Sequence, residues 1–120
     1  MKGDALPQTE IAHRIVDTLV DRQASDVLLL DLTGLATWAD HFVIATADNV
    51  RQARALVDAL REVVAAGNAK RLRPEGDPES GWVLLDAGEG VIVHLFSAEA
   101  RAYYNLEGLW NRAQEVVRIQ

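Results

Sequence analysis

The sequence predicts an α/β or α+β sandwich, a mixed β-sheet of about five strands with helices packed on it. Three observations lead there. Apolar residues recur at helical spacing in long segments, short β-branched and aromatic runs stand between polar breaks, and most connections are short. A chain of 120 residues suits one domain spanning residues 1–120, with no internal repeat, low-complexity tract or linker.

Each element follows from its local pattern. Residues 7 to 22 form a helix, since Ile11, Ile15, Val16, Leu19 and Val20 repeat every three or four positions, and Pro7 suits a first turn. Residues 26 to 33, "DVLLLDLT", are bounded by Ser25-Asp26 and Gly34 and are too short for a helix, so they read as a strand. "HFVIATA", residues 41 to 47, is a second strand. Between them Asp31 ends a strand, Gly34 permits a turn, and Asp40 orders the return through backbone N–H groups. Trp38 in that loop either contacts a partner or, more commonly for a loop aromatic, folds onto the core.

A second helix starts at Asn49, which pairs with Gln52 in a capping-box pattern. Val50, Ala53, Leu56, Val57, Leu60, Val63 and Val64 form its apolar stripe, and Gly67 supplies the stop. Residues 68 to 80 are a polar loop with a short edge strand around Arg71 to Arg73. "GWVLLDAGEGVIVHLF", residues 81 to 96, is a hairpin. Ser97 caps a helical turn, "SAEARAYY", and Asn105 starts a last helix through Leu106, Leu109, Trp110, Ala113 and Val117. Tyr103, Tyr104, Leu106, Leu109 and Trp110 read mainly as core packing, and Arg101 has Glu99, Glu107 or a nearby carboxylate as candidate partners.

The hairpin register decides which side chains share a face, because a one-residue slip flips them all. A four-residue loop would scatter polar groups over both faces. A three-residue loop, Gly88-Glu89-Gly90, pairs Asp86 with Ile92, Leu84 with His94 and Trp82 with Phe96, and puts Gly90 at the left-handed position such loops favour. One face is then aliphatic: Val83, Leu85, Ala87, Val91, Val93 and Leu95. The other carries Trp82, Leu84, Asp86, Ile92, His94 and Phe96. That second face is either a docking surface anchored by its aromatics or is simply covered by a terminal helix.

Composition narrows the function. A net charge of −6 argues against bare nucleic acid or an anionic membrane and favours a basic partner. The absence of cysteine excludes a thiol nucleophile and a cysteine-ligated zinc, and suits a reducing cytoplasm. The N-terminus lacks a signal-peptide pattern, and no stretch is apolar enough to span a bilayer. His13, His41 and His94 have no metal-ligand spacing, and no phosphate-loop or dinucleotide motif is present, so no metal and no cofactor are expected. Asp86 and His94 on one face admit a small nucleotide-acting enzyme, but no nucleophile completes the set, and catalysis is the minor reading.

The ordered set A-D-x-F-V-I-A-T, G-W-x-L-L-D, V-H-x-F and R-x-Y-Y-x-L-E-x-L-W, running from about Asp26 to Trp110, resembles the ribosomal silencing factor (RsfS, or Iojap-like) family. His41, the Ala47-Asp48-Asn49 turn and Gly90, which looks like an inserted residue, depart from the family pattern. The resemblance implies a nucleotidyltransferase-like sandwich without the Gly-Ser and paired-aspartate catalytic signature. It implies no enzymatic activity. It implies docking on a protein of the large ribosomal subunit at the intersubunit face, which blocks joining of the small subunit and lowers translation when nutrients are scarce. Homodimers are also implied. Carried onto this chain, Trp82 becomes the apolar anchor, Glu75 and Asp86 face a basic ribosomal protein, and His94 and Phe96 shape the same face.

Overall fold

The computed structural model describes residues 8–66 and 73–120. The predicted first-turn role of Pro7 and the Gly67 helix stop lie outside the described residues. In chain order the elements are α1 (Gln8–Asp21), β1 (Ser25–Asp31), β2 (His41–Ala47), α2 (Val50–Ala66), β3 (Arg73–Asp77), β4 (Trp82–Asp86), β5 (Val91–Ser97), α3 (Ala98–Tyr104), α4 (Leu106–Leu109) and β6 (Gln114–Ile119). A 3₁₀ turn, Pro78–Ser80, joins β3 to β4.

Six strands form one sheet in the order β3-β4-β5-β2-β1-β6. Only the central β2–β5 pair is parallel; the other four pairings are antiparallel. Of the α/β or α+β sandwich expected, the structure is α+β, with one strand more than expected. β6 stands where the sequence predicts continuation of a helix to Val117. The helix stops after one turn of α4, and Ala113 N–H closes a turn on Trp110 O at 3.0 Å. Val116, Val117 and Ile119 then favour extended backbone, and pairing with β1 satisfies an edge that would otherwise be bare. The short edge strand expected around Arg71 to Arg73 lies, but for Arg73, outside the described residues, and β3 as described runs from Arg73 to Asp77. Its proline at position 74 is tolerated because an outer strand has a side that needs no N–H.

Local signals elsewhere are used as read. Asn49 Oδ1 accepts from Gln52 N–H at 2.8 Å, and Gln52 Oε1 reaches back to Asp48 N–H at 2.6 Å, one residue earlier than a strict capping box. The Gln52 amide also donates to the carbonyls of Arg22 and Gln23, tying α2 to the end of α1. Ser97 Oγ caps α3 by accepting from Ala100 N–H at 3.1 Å. Asn105, at φ 47°, ends α3 and starts α4.

The hairpin register is the predicted one, with Trp82 opposite Phe96, Leu84 opposite His94 and Asp86 opposite Ile92. Gly90 has φ 78°, and its carbonyl accepts from the backbone N–H of both Asp40 and His41. A Cβ there would sit 2.5 Å from an Asp40 carboxylate oxygen. So the apparent extra residue is the point where the hairpin turn meets the loop entering β2. Asp40 orders that junction through its own backbone N–H donating to Gly90 O at 2.8 Å.

The sheet has two unlike sides. Under α1 and α2 lies an aliphatic cluster of 21 buried residues, all alanine, valine, leucine or isoleucine. It contains the whole aliphatic face of the hairpin. On the opposite side, Phe42, Phe96, Leu28, Leu30 and Ile44 form a smaller core, covered by α3, α4 and the loop from Leu32 to Asp40. No helix among the described residues is long and apolar enough to cross a membrane.

Candidate functional site

The second face of the hairpin is partly covered and partly open. Phe96 and His94 are 1% and 3% exposed, so neither reaches the surface; they form the floor on which Trp82 lies. Trp82 is half-buried. Its ring centroid lies 5.0 Å from that of Phe96, 5.9 Å from His94 and 4.6 Å from Tyr104 on α3. Trp82, Tyr104, Leu84, Ser80, Gly76 and Glu75 line an open depression of about 350 Å³. Thus Glu75, from β3, stands with Trp82 at one rim, as register dictates: it pairs with Leu84.

Asp86 lies elsewhere. It is exposed at the far end of β4, and its Oδ1 accepts from Gly88 N–H at 2.9 Å, so it orders the hairpin turn. Four residues along a strand separate it from Trp82, roughly 13 Å of rise.

The geometry does not assemble an acid–base pair from Asp86 and His94. The Trp82 indole N–H donates to His94 Nδ1 at 3.2 Å, which occupies one imidazole nitrogen. Burial alone pushes the imidazole down from 6.5 to about 4, so it is neutral at ordinary pH. The other nitrogen, Nε2, is buried and has no hydrogen-bond partner among the described residues. A separate hollow of about 230 Å³ includes Asn49, Ser80, Ser97, Glu79 and Glu99 in its lining; two carboxylates make it a poor cradle for a phosphate. Among the described residues no group of histidine and carboxylate side chains is arranged to hold a metal.

What holds the covering layer in place is a charged network. Arg101 is buried; its Nε and Nη2 bond both oxygens of Glu107 at 3.1 and 3.0 Å, while Nη1 donates to Asp26 O and Thr46 Oγ1 at 2.7 and 2.9 Å. Arg118 on β6 forms a two-pronged pair with Asp26 at 3.1 and 3.0 Å. Helices α3 and α4 are thereby fastened to β1 and β6. Of the partners expected for Arg101, it takes Glu107 and a nearby carboxylate, that of Asp26 at 3.4 Å, and not Glu99.

Several residues expected to pack inside are instead outside. Tyr103 is 81% exposed, Leu109 75% and Tyr104 49%, and in the loop before β2 Trp38 is 62% exposed while still touching Phe42 and Trp110. These all belong to the α3–α4 side. The sequence holds a signal for this: Tyr103 and Tyr104 are neighbours on a seven-residue helix, about 100° apart, so one inward stripe cannot take both.

Comparisons with known proteins agree on one family. A family model described as "Ribosomal silencing factor during starvation" (RsfS) matches residues 5–120. The chain is 39% identical to a ribosomal silencing factor RsfS of Zymomonas mobilis over 84% of its own length and 75% of that protein's. It is 36% identical to the RsfS of Halalkalibacterium halodurans, over 89% and 91% of the two chains. It is 33% identical to the chloroplastic protein Iojap of Arabidopsis thaliana, over 78% of this chain and 40% of that one. Among solved structures, a Chromobacterium violaceum protein superposes with a TM-score of 0.82 at 30% identity, covering 88% of each chain. One from Bacillus halodurans gives 0.74 at 31% identity, over 94% and 99%.

Proposed function

The chain belongs to the ribosomal silencing factor (RsfS/Iojap) family, whose members are ribosome-binding regulatory factors rather than enzymes, and on that premise we propose that it docks on a protein of the large ribosomal subunit through the Trp82 face. Docking there, at the intersubunit surface, obstructs joining of the small subunit and represses translation under nutrient limitation. The protein acts in the cytoplasm and forms a homodimer.

One observation carries the choice of face. Trp82 is half-open on a rigid aromatic floor, and the large apolar side chains of Tyr103, Tyr104, Leu109 and Trp38 are exposed on the same side of the sheet. A half-buried tryptophan supported from beneath loses little conformational freedom on binding, which is why such residues dominate interface energetics. Glu75 at the rim and Asp86 farther along β4 supply carboxylates, and the net charge of −6 favours approach to a basic surface. His94 and Phe96 contribute from below, without touching the partner.

The test is sedimentation with purified subunits. The protein is expected to travel with large subunits and not with small ones, and to reduce the yield of joined ribosomes. Trp82→Ala should lose the association while keeping its far-UV circular dichroism. Undiminished co-sedimentation of Trp82→Ala would remove Trp82 as the anchor.

A further inference from the structure

We infer that His94 is a positioning residue: its bare Nδ1 accepts the Trp82 indole N–H and so fixes the orientation in which Trp82 is presented for docking. The inference rests on the Trp82 docking face proposed above and adds the group that sets its geometry.

The tautomer follows from chemistry. An indole N–H can only donate, so the nitrogen it meets, Nδ1 at 3.2 Å, carries no proton. The proton of the neutral ring is then on Nε2, the nitrogen that is buried without a partner. A buried unpaired N–H costs stability, and an aliphatic side chain would avoid that cost. Packing on this floor therefore does not call for histidine; Phe42, Phe96 and Ile44 are apolar around it. What histidine adds is one acceptor directed at Trp82.

Trp82 needs such a constraint. It sits on the open side of the sheet, between Phe96 below and Tyr104 beside it, and van der Waals contact alone tolerates rotation about its side-chain torsions. A hydrogen bond at the indole nitrogen selects one orientation before the partner arrives. The affinity gained is the ordering cost no longer incurred on binding.

The experiment separates orientation from stability with two replacements. His94→Asn keeps an oxygen near the position of Nδ1 but leaves a gap, so it should melt at a lower temperature than His94→Leu. His94→Leu fills the pocket with apolar volume but has no acceptor. In His94→Leu the Trp82 indole N–H resonance, assigned by its absence from Trp82→Phe, should move upfield and exchange faster with solvent. Its affinity for purified large subunits should fall about fivefold to tenfold, the loss expected from one hydrogen bond. His94→Asn should keep the resonance near its wild-type position and bind better than His94→Leu despite the lower melting temperature. In a Trp82→Phe background, which has no indole N–H, His94→Leu should cost no further affinity.

Binding that simply follows melting temperature across the two variants would overturn the inference, as would an unmoved resonance in His94→Leu. If His94→Leu does not fold, wild-type exchange decides: the Trp82 indole proton must exchange more slowly than that of the exposed Trp38. If Trp82→Ala still binds, the docking face is wrong and the affinity comparison goes with it. The resonance comparison still decides separately whether His94 holds the indole.

Discussion

The two sides of this sheet are made from different residues. All seven phenylalanine, tyrosine and tryptophan residues of the chain lie on the α3–α4 side or in the loop that packs there, and the 21-residue cluster under α1 and α2 has none. Aliphatic side chains interdigitate at high density and leave nothing to recognise, which suits a layer whose task is to hold the sheet. Aromatic side chains offer large rigid surfaces with a polar edge, so they can be buried at one end and contacted at the other. The α1–α2 side stabilises; the α3–α4 side stabilises and, on the function proposed above, presents.

This division can be broken at four points. On the aliphatic side, Leu60→Ala removes a fully buried side chain and should cost about 3 kcal/mol in denaturant unfolding at an unchanged slope. Docking by the folded fraction should be untouched, and a parallel loss of docking would show that the two sides are not separate.

On the aromatic side, acid is the probe. His94 resists protonation until about pH 4 in the folded protein, whereas an unfolded histidine takes its proton near 6.5. Its contribution is therefore fully present above pH 6.5, declines as pH falls toward 4, and is level below that. The total loss is about 3 kcal/mol, and unfolding titrations of His94→Leu should lack this one-proton slope.

Trp82→Ala comes next. It should weaken docking on large subunits about 30-fold, the scale of an interface anchor, while the fold persists. The smallest effect is expected at Tyr103, which is almost fully exposed. Tyr103→Ser should change stability by less than about 0.5 kcal/mol. A docking loss of about twofold to tenfold would extend the docking face beyond Tyr104 to the outer side of α3, and no change would confine it to the Trp82 depression.

How much of this was legible before the fold depended on distance along the chain. The hairpin register, the Asn49–Gln52 cap, the Ser97 cap and the Asn105 junction are decided within a few residues, and the sequence states them. β6 was not legible because Leu106, Leu109, Trp110, Ala113 and Val117 satisfy a helical period, and only the free edge of β1, over 80 residues earlier, favours a strand there. For the candidate site the limit was the same. Trp82 and His94 share a face by register alone, but how far that face is covered depends on α3 and α4, which are fastened through a network in which Arg101 meets Asp26 and Thr46. No local pattern reports that. The departure at Gly90 is likewise explained only by the fold, where Gly90 O receives the backbone N–H of Asp40 and of His41.

The segregation of the rings also makes the molecule optically one-sided. Trp38, Phe42, His94, Trp82, Tyr104 and Tyr103 follow one another with centroids no more than 5.9 Å apart, and Trp110 joins at Phe42. All three indoles thus belong to one connected set of rings on that side. Tryptophan emission and near-ultraviolet dichroism therefore watch the α3–α4 side only, while the layer beneath α1 and α2 is dark at those wavelengths. A melt followed by emission and by far-ultraviolet dichroism compares one face with the whole sheet. Coincident curves mean that the two faces come apart together, and an earlier emission change means that the aromatic face loosens while the aliphatic face is intact.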